Sequence, residues 1–291
     1  MRYAYYPGCS LHSTAKEYDH SLRAVCSKLG IELVEIKNWF CCGSTPAHSV
    51  SRLLASALPL GNLAIMQRMD LGEVVVPCPS CFSRFKSALY NVGNEPGLRE
   101  EIEQVIKGNW SDDIKIYHPL EIFSEESQLG KISSLVKREL ADLKVVCYYG
   151  CLLTRPPKVA QFDICEYPES MDRILRALGI ATLDWSYKTD CCGASFALTR
   201  TDIVLKLSHE ILEEAKSVGA DAIVVACPLC HTNLDTRQEE IEKAYGADYK
   251  LPILYFTQLM GISFGLSPRE LLLGKHFVSA GSKLEEVRQH A

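Results

Sequence analysis

The chain has 291 residues, enough for one large domain or two of ordinary size. Hydrophobic residues make up 47% of it, which suffices for a packed core. A net charge of −5 without a long basic run disfavours nucleic-acid binding. The N-terminus shows no apolar signal segment, and the longest uncharged run, residues 251–268, contains proline and glycine. We expect a cytoplasmic protein without a direct membrane span, in which that run forms a buried strand, a loop and a helix.

The cysteine content is the most informative part of the composition. There are 13 cysteines, whereas secreted disulfide scaffolds are usually short and denser in cysteine. In a reducing compartment, many thiols in regular spacings indicate metal binding or catalysis.

In the first half of the chain, cysteines follow predicted strands and alternate with predicted helices. An apolar run leads into Cys9, and a helix is predicted over residues 14–29. The adjacent pair Cys41-Cys42 precedes a glycine, and a second helix is predicted over residues 52–69. An apolar run then ends in Cys-Pro-Ser-Cys, where the cysteines are Cys78 and Cys81.

The second half repeats these landmarks in the same order. They are a strand-like run at residues 144–146, Cys151, a helix over 168–178, the sequence Cys191-Cys192-Gly193, a helix over 201–217, a strand over 222–226, and Cys-Pro-Leu-Cys with Cys227 and Cys230. Five cysteines that recur in one order indicate an internal duplication rather than chance similarity.

The spacings support the duplication. The first cysteine and the cysteine pair enclose 31 residues in the first half and 39 in the second. The glycine after the pair and the Cys-Pro-x-Cys motif enclose 34 and 33 residues. The extra length of the second half centres on Arg155-Pro156-Pro157 and predicts a loop insertion. We place the two domains at residues 1–135 and 136–291, joined within the polar stretch 123–142.

The alternation of short apolar runs with amphipathic helices predicts the α/β class. We expect two tandem pseudo-symmetric α/β units with mainly parallel sheets. In such sheets, functional loops gather at the carboxyl ends of the strands. Cys9, Cys78, Cys151 and Cys227 each follow a strand-like run, so the cysteines of each unit should converge at one sheet edge.

Iron–sulfur clusters suit this cysteine pattern better than a single metal ion. A Cys-x-x-Cys turn can direct two thiolates to one centre, and the glycine after each pair permits unusual backbone geometry. The side chains of adjacent cysteines point apart, so it is difficult for both to reach one tetrahedral zinc ion. A cluster of several irons, which is larger, can accept both. Five thiolates per unit also exceed the four that a structural zinc or a regular cubane requires.

Two other interpretations fit the cysteines less well than iron. Zinc ribbons need two Cys-x-x-Cys pairs within a short span, and a disulfide between adjacent cysteines is strained. The remaining cysteines, Cys26, Cys147 and Cys165, are predicted to be free thiols rather than ligands. Neither a ferredoxin-type cysteine run nor a glycine-rich dinucleotide fingerprint is present, so electrons should arrive from a partner protein.

The duplicated Cys-x(31–39)-Cys-Cys-Gly-x(33–34)-Cys-Pro-x-Cys pattern resembles the CCG-domain proteins. In its length and its Tyr-Tyr-Pro-Gly-Cys start, the chain is similar to the heterodisulfide reductase B-subunit family. The resemblance implies a noncubane [4Fe-4S] cluster in each unit, with cysteine-rich loops facing each other. The implied ligands are Cys9, Cys41, Cys42, Cys78 and Cys81 in the first unit and Cys151, Cys191, Cys192, Cys227 and Cys230 in the second.

The resemblance also implies a substrate and partners. The family substrate is the mixed disulfide of coenzyme M and coenzyme B, so a small-molecule disulfide is expected here. Electrons would come through a C-like subunit with ferredoxin-type clusters from a flavin-bearing A-like subunit, which larger complexes link to a hydrogenase or formate dehydrogenase. Two clusters on either side of one S–S bond could each supply one electron.

Two alternatives stay open at the level of sequence. One is an electron-transfer module of the same fold that serves another oxidoreductase complex; the other is a zinc-bound scaffold. Candidate proton donors are His12 and His231, and His48 and Lys188 could contact an anionic substrate. The acidic segment 282–290 is a candidate helix for docking a partner.

Overall fold

The computed structural model describes residues 1–44, 47–281 and 284. The candidate C-terminal helix at residues 282–290 lies outside the described residues, apart from Leu284. No helix in the described ranges is long and apolar enough to cross a lipid bilayer.

The first unit alternates four strands with eight helices over its described residues. The elements are β1 (Arg2–Tyr5), α1 (Gly8–His12), α2 (Lys16–Lys28), β2 (Glu32–Glu35), α3 (Ala47–Val50), α4 (Arg52–Gln67), β3 (Glu73–Val75), α5 (Pro79–Asn94), α6 (Leu98–Ile106), β4 (Lys115–Tyr117), α7 (Pro119–Phe123) and α8 (Glu126–Ser134). The predicted helices at residues 14–29 and 52–69 are confirmed with slightly shorter bounds.

The second unit follows the same plan. Its elements are β5 (Lys144–Tyr148), α9 (Cys151–Thr154), α10 (Pro157–Ala160), α11 (Ser170–Ala177), β6 (Ala181–Thr182), α12 (Thr201–Ser217), β7 (Ala222–Val225), α13 (Pro228–Asp235), α14 (Gln238–Tyr245), β8 (Ile253–Tyr255) and α15 (Phe256–Ser263). The predicted insertion after Cys151 carries the short helix α10, which packs against α5 of the first unit. The uncharged run forms β8 and α15 with no loop between them.

Both units contain a four-stranded, fully parallel sheet. The strand orders are β2-β1-β3-β4 and β6-β5-β7-β8, which confirms the predicted α/β class and its pseudo-symmetry. Along each sheet, the chain runs outward in one direction from the first strand and then in the other from the third. The reversal between β1 and β3, and between β5 and β7, leaves a crevice at the carboxyl ends of those strands.

A fully buried helix forms part of the interface between the two units. Helix α15 packs against α2 of the first unit, and all its residues are buried. The strands at the centre of each sheet are also buried, as expected for a parallel sheet covered by helices on both faces. The polar join contains α8, which packs on α11 of the second unit. The domain boundary after residue 135 therefore stays a prediction.

Candidate metal centres and the cavity between the units

The cysteines gather where the strand order reverses in each sheet. Cys9 follows β1 and Cys78 follows β3, while Cys151 follows β5 and Cys227 follows β7. Each Cys-Pro-x-Cys motif then begins a helix, with its proline in the first turn, where the missing N–H costs nothing. The predicted convergence at the carboxyl edges of the strands is therefore present in both units.

In the first unit, sulfur atoms of all three motifs come together. The Sγ atoms of Cys42 and Cys81 are 3.2 Å apart, and Cys78 is in hydrogen-bonding contact with Cys81. Cys41 contacts Cys42 and lies in the electrostatic field of Cys9. Three of the five thiols are buried, whereas Cys9 and Cys41 are exposed. We call these five residues the first cysteine group.

The second unit reproduces this arrangement. The Sγ atoms of Cys192 and Cys230 are 3.6 Å apart, and Cys230 also contacts Cys227. Cys151 contacts Cys191, and both lie at the more accessible end of the group. These five residues form the second cysteine group. Both groups thus place three buried thiols beside two that reach the surface.

Glycines allow the chain to approach the sulfur atoms closely. Gly43 and Gly193, directly after the cysteine pairs, have φ angles of +74° and +77°, as the sequence predicted for an unusual backbone. Their amides lie 3.4 and 3.3 Å from the Sγ atoms of Cys41 and Cys191. Gly150 faces Cys230: a Cβ atom at that glycine would lie 3.0 Å from the cysteine sulfur.

A tyrosine holds the loop that carries each cysteine pair. The hydroxyl of Tyr6 donates to the carbonyl of Phe40 at 2.8 Å, and that of Tyr148 donates to the carbonyl of Asp190 at 2.6 Å. Each acceptor directly precedes its cysteine pair, and each tyrosine lies three residues before the first cysteine of its group. The two contacts are equivalent under the duplication, so they position the loops in the same way.

The thiols within each group differ in their pKa values. Hydrogen bonds from Cys41 and Cys81 lower the pKa of Cys42 to about 4, and a hydrogen bond from Cys151 lowers that of Cys191 to about 6. Donating such bonds raises the pKa of Cys81 and of Cys230. Each group therefore contains thiols with lowered pKa values beside thiols with raised ones, and the thiolate is the form that binds metal.

A cavity of about 460 Å³ lies between the units and meets the second cysteine group directly. All five cysteines of that group line it. The opposite wall comes from the first unit, through Ser44, His48, Pro79, Ser80 and Arg84. The hydroxyls of Ser44 and Ser80, which flank the cysteines of the first group, hydrogen-bond to each other. Apolar side chains of the second unit, including Leu152, Leu198 and Leu229, complete the lining.

The duplicated sites correspond to a known domain. The family profile of the cysteine-rich domain called CCG matches the chain twice, over residues 3–86 and 145–235. The chain belongs to the cysteine-rich CCG domain family. Each match starts at the first strand of a unit and ends in, or at the end of, the helix that begins with Cys-Pro-x-Cys. Each match therefore covers one cysteine group and the first three strands of one sheet, while β4 and β8 lie beyond it.

Several relatives match this CCG protein over nearly its whole length. The membrane anchor subunit of the 8-methylmenaquinol:fumarate reductase of Wolinella succinogenes is 30% identical, over 96% of this chain and 97% of that protein. The B subunit of the ferredoxin/F420H2-dependent CoB-CoM heterodisulfide reductase of Methanosarcina acetivorans is 27% identical, over 91% and 89%. A protein of Archaeoglobus profundus that is named as similar to the heterodisulfide reductase B subunit is 25% identical, over 93% of each chain.

One solved structure shares the fold. A hypothetical protein from Helicobacter pylori superposes with a TM-score of 0.78 at 13% sequence identity and covers 96% of this chain. The chain spans about half the length of that protein, 52%. At this identity the likeness concerns the fold alone.

The polar residues that the sequence suggested as proton donors or substrate contacts lie in different environments, and not all of them line the cavity. His48 lines the cavity, but Lys188 is buried away from it, where its Nζ atom lies 3.0 Å from Asp172. His231 follows Cys230 yet points into the core, where it stacks on Tyr255 and lies 2.8 Å from His276. His12 is exposed and contacts the edge of Trp39 rather than the cavity.

The three cysteines predicted as bystanders lie apart from the groups. Cys26 is buried in α2, and burial raises its pKa to about 12. Cys147 is buried in β5, and its pKa is also raised by burial. The thiol of Cys165 donates to the carbonyl of Thr154 at 3.4 Å. None of the three lines the cavity.

Sequence reasoning missed two polar residues at equivalent positions. Arg84 and Asn233 each lie three residues after the last cysteine of their motif, on the first turns of α5 and α13. Asn233 donates to the carbonyl oxygen of Cys192 at 3.0 Å, whereas Arg84 lines the cavity. The i, i+3 spacing on a helix that begins at the motif was the available signal, because such residues share a face.

Proposed function

We propose that the chain is the disulfide-reducing subunit of an oxidoreductase complex, with an iron–sulfur cluster at each cysteine group. The observation that carries this proposal is the cavity that brings the complete second group within reach of a ligand, beside residues that flank the first. Relatives over most of the chain are named as B subunits of heterodisulfide reductases, which supports a disulfide as substrate.

The donor atoms of both groups fit a cluster. The proposed ligands are the ten motif cysteines, whose buried sulfurs approach each other at 3.2 and 3.6 Å. Five thiols per group exceed the four of a regular cubane, which supports the noncubane [4Fe-4S] type. Thiolate donors and the enclosing apolar core are typical of iron–sulfur sites.

The chemistry is a two-electron, two-proton reduction: one S–S bond breaks and two thiols form. When bound, each cluster supplies one of the two electrons. The apolar side chains of Leu152 and Leu229 line the cavity and can hold the organic portion of a disulfide. His48 stands in the opposite wall, where its imidazole can carry a proton to a departing thiolate.

Partner proteins must deliver the electrons in this proposal. The sequence contains neither a ferredoxin-type cysteine run nor a dinucleotide fingerprint, and relatives are named as subunits of reductases. We therefore propose a C-like subunit with ferredoxin-type clusters and an A-like flavin subunit as electron donors. The exposed thiols Cys9, Cys41 and Cys191 mark where each group comes closest to the surface.

Metal analysis on anaerobically purified protein tests the cofactor. We expect about eight iron atoms per chain with matching acid-labile sulfide, as two four-iron clusters require. Cys42→Ser should lose about half of this iron, whereas Cys26→Ser, which alters a buried thiol outside both groups, should keep all of it. A colourless, zinc-loaded protein would contradict the proposal.

Turnover of a small-molecule disulfide with reduced viologen tests the reaction. Cys42→Ala and Cys192→Ala should each abolish it, because each removes a donor from one of the two groups. Full activity in either variant would show that the groups do not act on the disulfide. The coenzyme M–coenzyme B heterodisulfide and simpler symmetric disulfides are the substrates to compare.

A second candidate is an electron-transfer module in another oxidoreductase complex. It is favoured by the relative that is 30% identical and is named a fumarate reductase membrane anchor subunit. The electron paramagnetic resonance spectrum of the oxidised protein separates the two candidates. A thiol that enters the cavity should change a cluster signal in a disulfide reductase, whereas an electron carrier should show clusters whose signals ignore added thiols.

A further inference from the structure

Arg84 occupies an unusual position in the cavity wall. It lies on α5 one helical turn after Cys81, is half-buried, and lines the cavity opposite the second cysteine group. Its guanidinium is near enough to Cys42, a member of the first cysteine group, to interact with it electrostatically. A positive charge therefore stands between the two cysteine groups.

This guanidinium has no carboxylate partner among the residues that the structure describes. Other arginines near the unit boundary do have one: Arg155 pairs with Glu166, and Arg173 pairs with Glu126. Removing a charged group from water costs free energy unless a partner compensates. A half-buried arginine that faces a cavity, without a carboxylate partner in the described part of the chain, is thus suited to receive an anion.

The duplication shows that the fold does not require an arginine here. The equivalent residue, Asn233, serves its own unit by donating to the carbonyl and the sulfur of Cys192, at 3.0 and 3.6 Å. Arg84 makes no such bond to the described part of its own loop. At this position the second unit therefore has a neutral asparagine, whereas the first unit places the cation of Arg84 in the wall of the cavity.

The rest of the lining agrees with an anionic ligand. No aspartate or glutamate is among the described lining residues, while the hydroxyls of Ser44 and Ser80 and the ring of His48 lie on the same wall as Arg84. The facing wall contributes leucines and the cysteine sulfurs. A ligand with an anionic end and an apolar, sulfur-bearing remainder matches these two walls.

We propose that Arg84 is a specificity-determining residue that binds the anionic group of the substrate and directs its sulfur toward the second cysteine group. This inference rests on the proposed function, since it assigns a charge to the disulfide or thiol that the cavity accepts. The guanidinium donates in its fixed planar fork to a carboxylate, sulfonate or phosphate.

The experiment compares two symmetric disulfides of equal length, made from 3-mercaptopropanoate and from 3-mercapto-1-propanol. Arg84→Gln should raise KM for the anionic disulfide by about 10- to 100-fold, the effect of losing a charge-assisted hydrogen bond, and leave kcat and the neutral disulfide almost unchanged. Arg84→Lys should recover part of the loss because it restores the charge. Lys86→Gln, on the same helix but outside this cavity, is the matched control.

A binding measurement separates this inference from the proposed function. The change in the cluster spectrum with added 3-mercaptopropanoate should need a higher thiol concentration in Arg84→Gln, with equal iron content, whereas the response to 3-mercapto-1-propanol should not move. If no disulfide is reduced but this difference persists, the proposed reaction fails and the role of Arg84 stands. If both disulfides are reduced with an unchanged KM ratio in Arg84→Gln, the role of Arg84 is overturned and the reaction stands.

Discussion

Tyr18 and Tyr255 stack face to face across the boundary between the two CCG units, with ring centroids 4.4 Å apart and planes within 5° of parallel. One helical turn further along α2, the hydroxyls of Ser21 and Thr257 lie 2.7 Å apart. Both rings are fully buried, and each feels the charge of Cys78 and Cys227. The stack therefore joins the units near the points where their Cys-Pro-x-Cys motifs begin.

Removing the Tyr18 ring should weaken the contact between the units. We expect Tyr18→Ala to lower the free energy of unfolding by about 3–5 kcal/mol, as for other buried aromatic side chains. Tyr18→Phe should cost less than about 1.5 kcal/mol, because the hydroxyl makes one long bond, 3.4 Å, to the carbonyl of Pro77. Urea denaturation followed by circular dichroism measures both; equal midpoints for Tyr18→Ala and the unaltered chain would contradict a structural role for the stack.

The close approach of Gly150 to Cys230 predicts a selective loss of one cluster. Gly150→Ala would place a Cβ atom 3.0 Å from the sulfur at φ and ψ angles of +72° and 175°, a conformation that is essentially restricted to glycine and costs about 1–3 kcal/mol for other residues. We expect iron content to fall by about half while the fold is retained. Gly130→Ala in α8 is the control, because no neighbouring atom lies within 4 Å of its Cβ position. Unchanged iron in Gly150→Ala would contradict this prediction and show that the second group accommodates the added Cβ atom.

The buried pair of Lys188 and Asp172 should contribute to stability rather than to substrate binding. Their side chains are 1% and 0% exposed, so Lys188→Met removes the nearer cation from a buried carboxylate and leaves only Arg176, at 4.0 Å. We expect a loss of about 3–5 kcal/mol in unfolding free energy, partly recovered in Lys188→Met/Asp172→Leu. Lys158→Met, at an exposed lysine, should change stability by less than about 0.5 kcal/mol. If Lys188→Met instead raised KM strongly without changing the free energy of unfolding, Lys188 would serve substrate binding rather than stability.

His118 predicts how stability depends on pH. Burial lowers its pKa to about 3, and its Nε2 atom lies 2.9 Å from the carbonyl of Pro77. In the unfolded chain the pKa is about 6.5, so between these values the unfolded state binds more protons. The contribution of His118 is therefore present above pH 6.5 and is lost as the pH falls toward 3.

The duplication supports an aromatic replacement for this measurement, because the residue equivalent to His118 is Tyr255, which begins its helix with the same kind of capping box. His118→Phe should show a smaller drop in urea midpoint between pH 7.5 and pH 5 than the unaltered chain. The other buried histidines, His231 and His276, have lowered pKa values and keep part of the dependence in the variant. Equal drops in both proteins would show that His118 titrates normally in the folded state.

Much of the architecture could be predicted because it depends on periodic features of the sequence. Apolar runs before Cys9, Cys78, Cys151 and Cys227 indicated parallel strands, and parallel strands end at one edge of a sheet. The convergence of the cysteines follows from that rule. The loop insertion after Cys151 was also predicted, although not the helix α10 or its packing on α5.

The sequence could not predict the direction in which individual side chains point. His231 is adjacent to Cys230, but neighbouring residues on a helix point about 100° apart, so one faces the cysteine group and the other the core. Lys188 precedes its cysteine pair by three residues, yet its partner Asp172 comes from α11. Arg84 was overlooked because its significance depends on the absence of a nearby carboxylate among the described residues, which only tertiary structure shows.

The complete burial of α15 against α2 has a mechanical consequence. Domains that swing about a hinge usually meet through small, polar interfaces, which can separate in water at little cost. Here the contact surface is continuous with the interiors of both units, so opening it would expose aromatic rings to solvent. The walls of the cavity are therefore fixed relative to each other. Passage of a ligand into and out of the cavity must depend on the side chains at its mouth rather than on a swinging motion of the two halves.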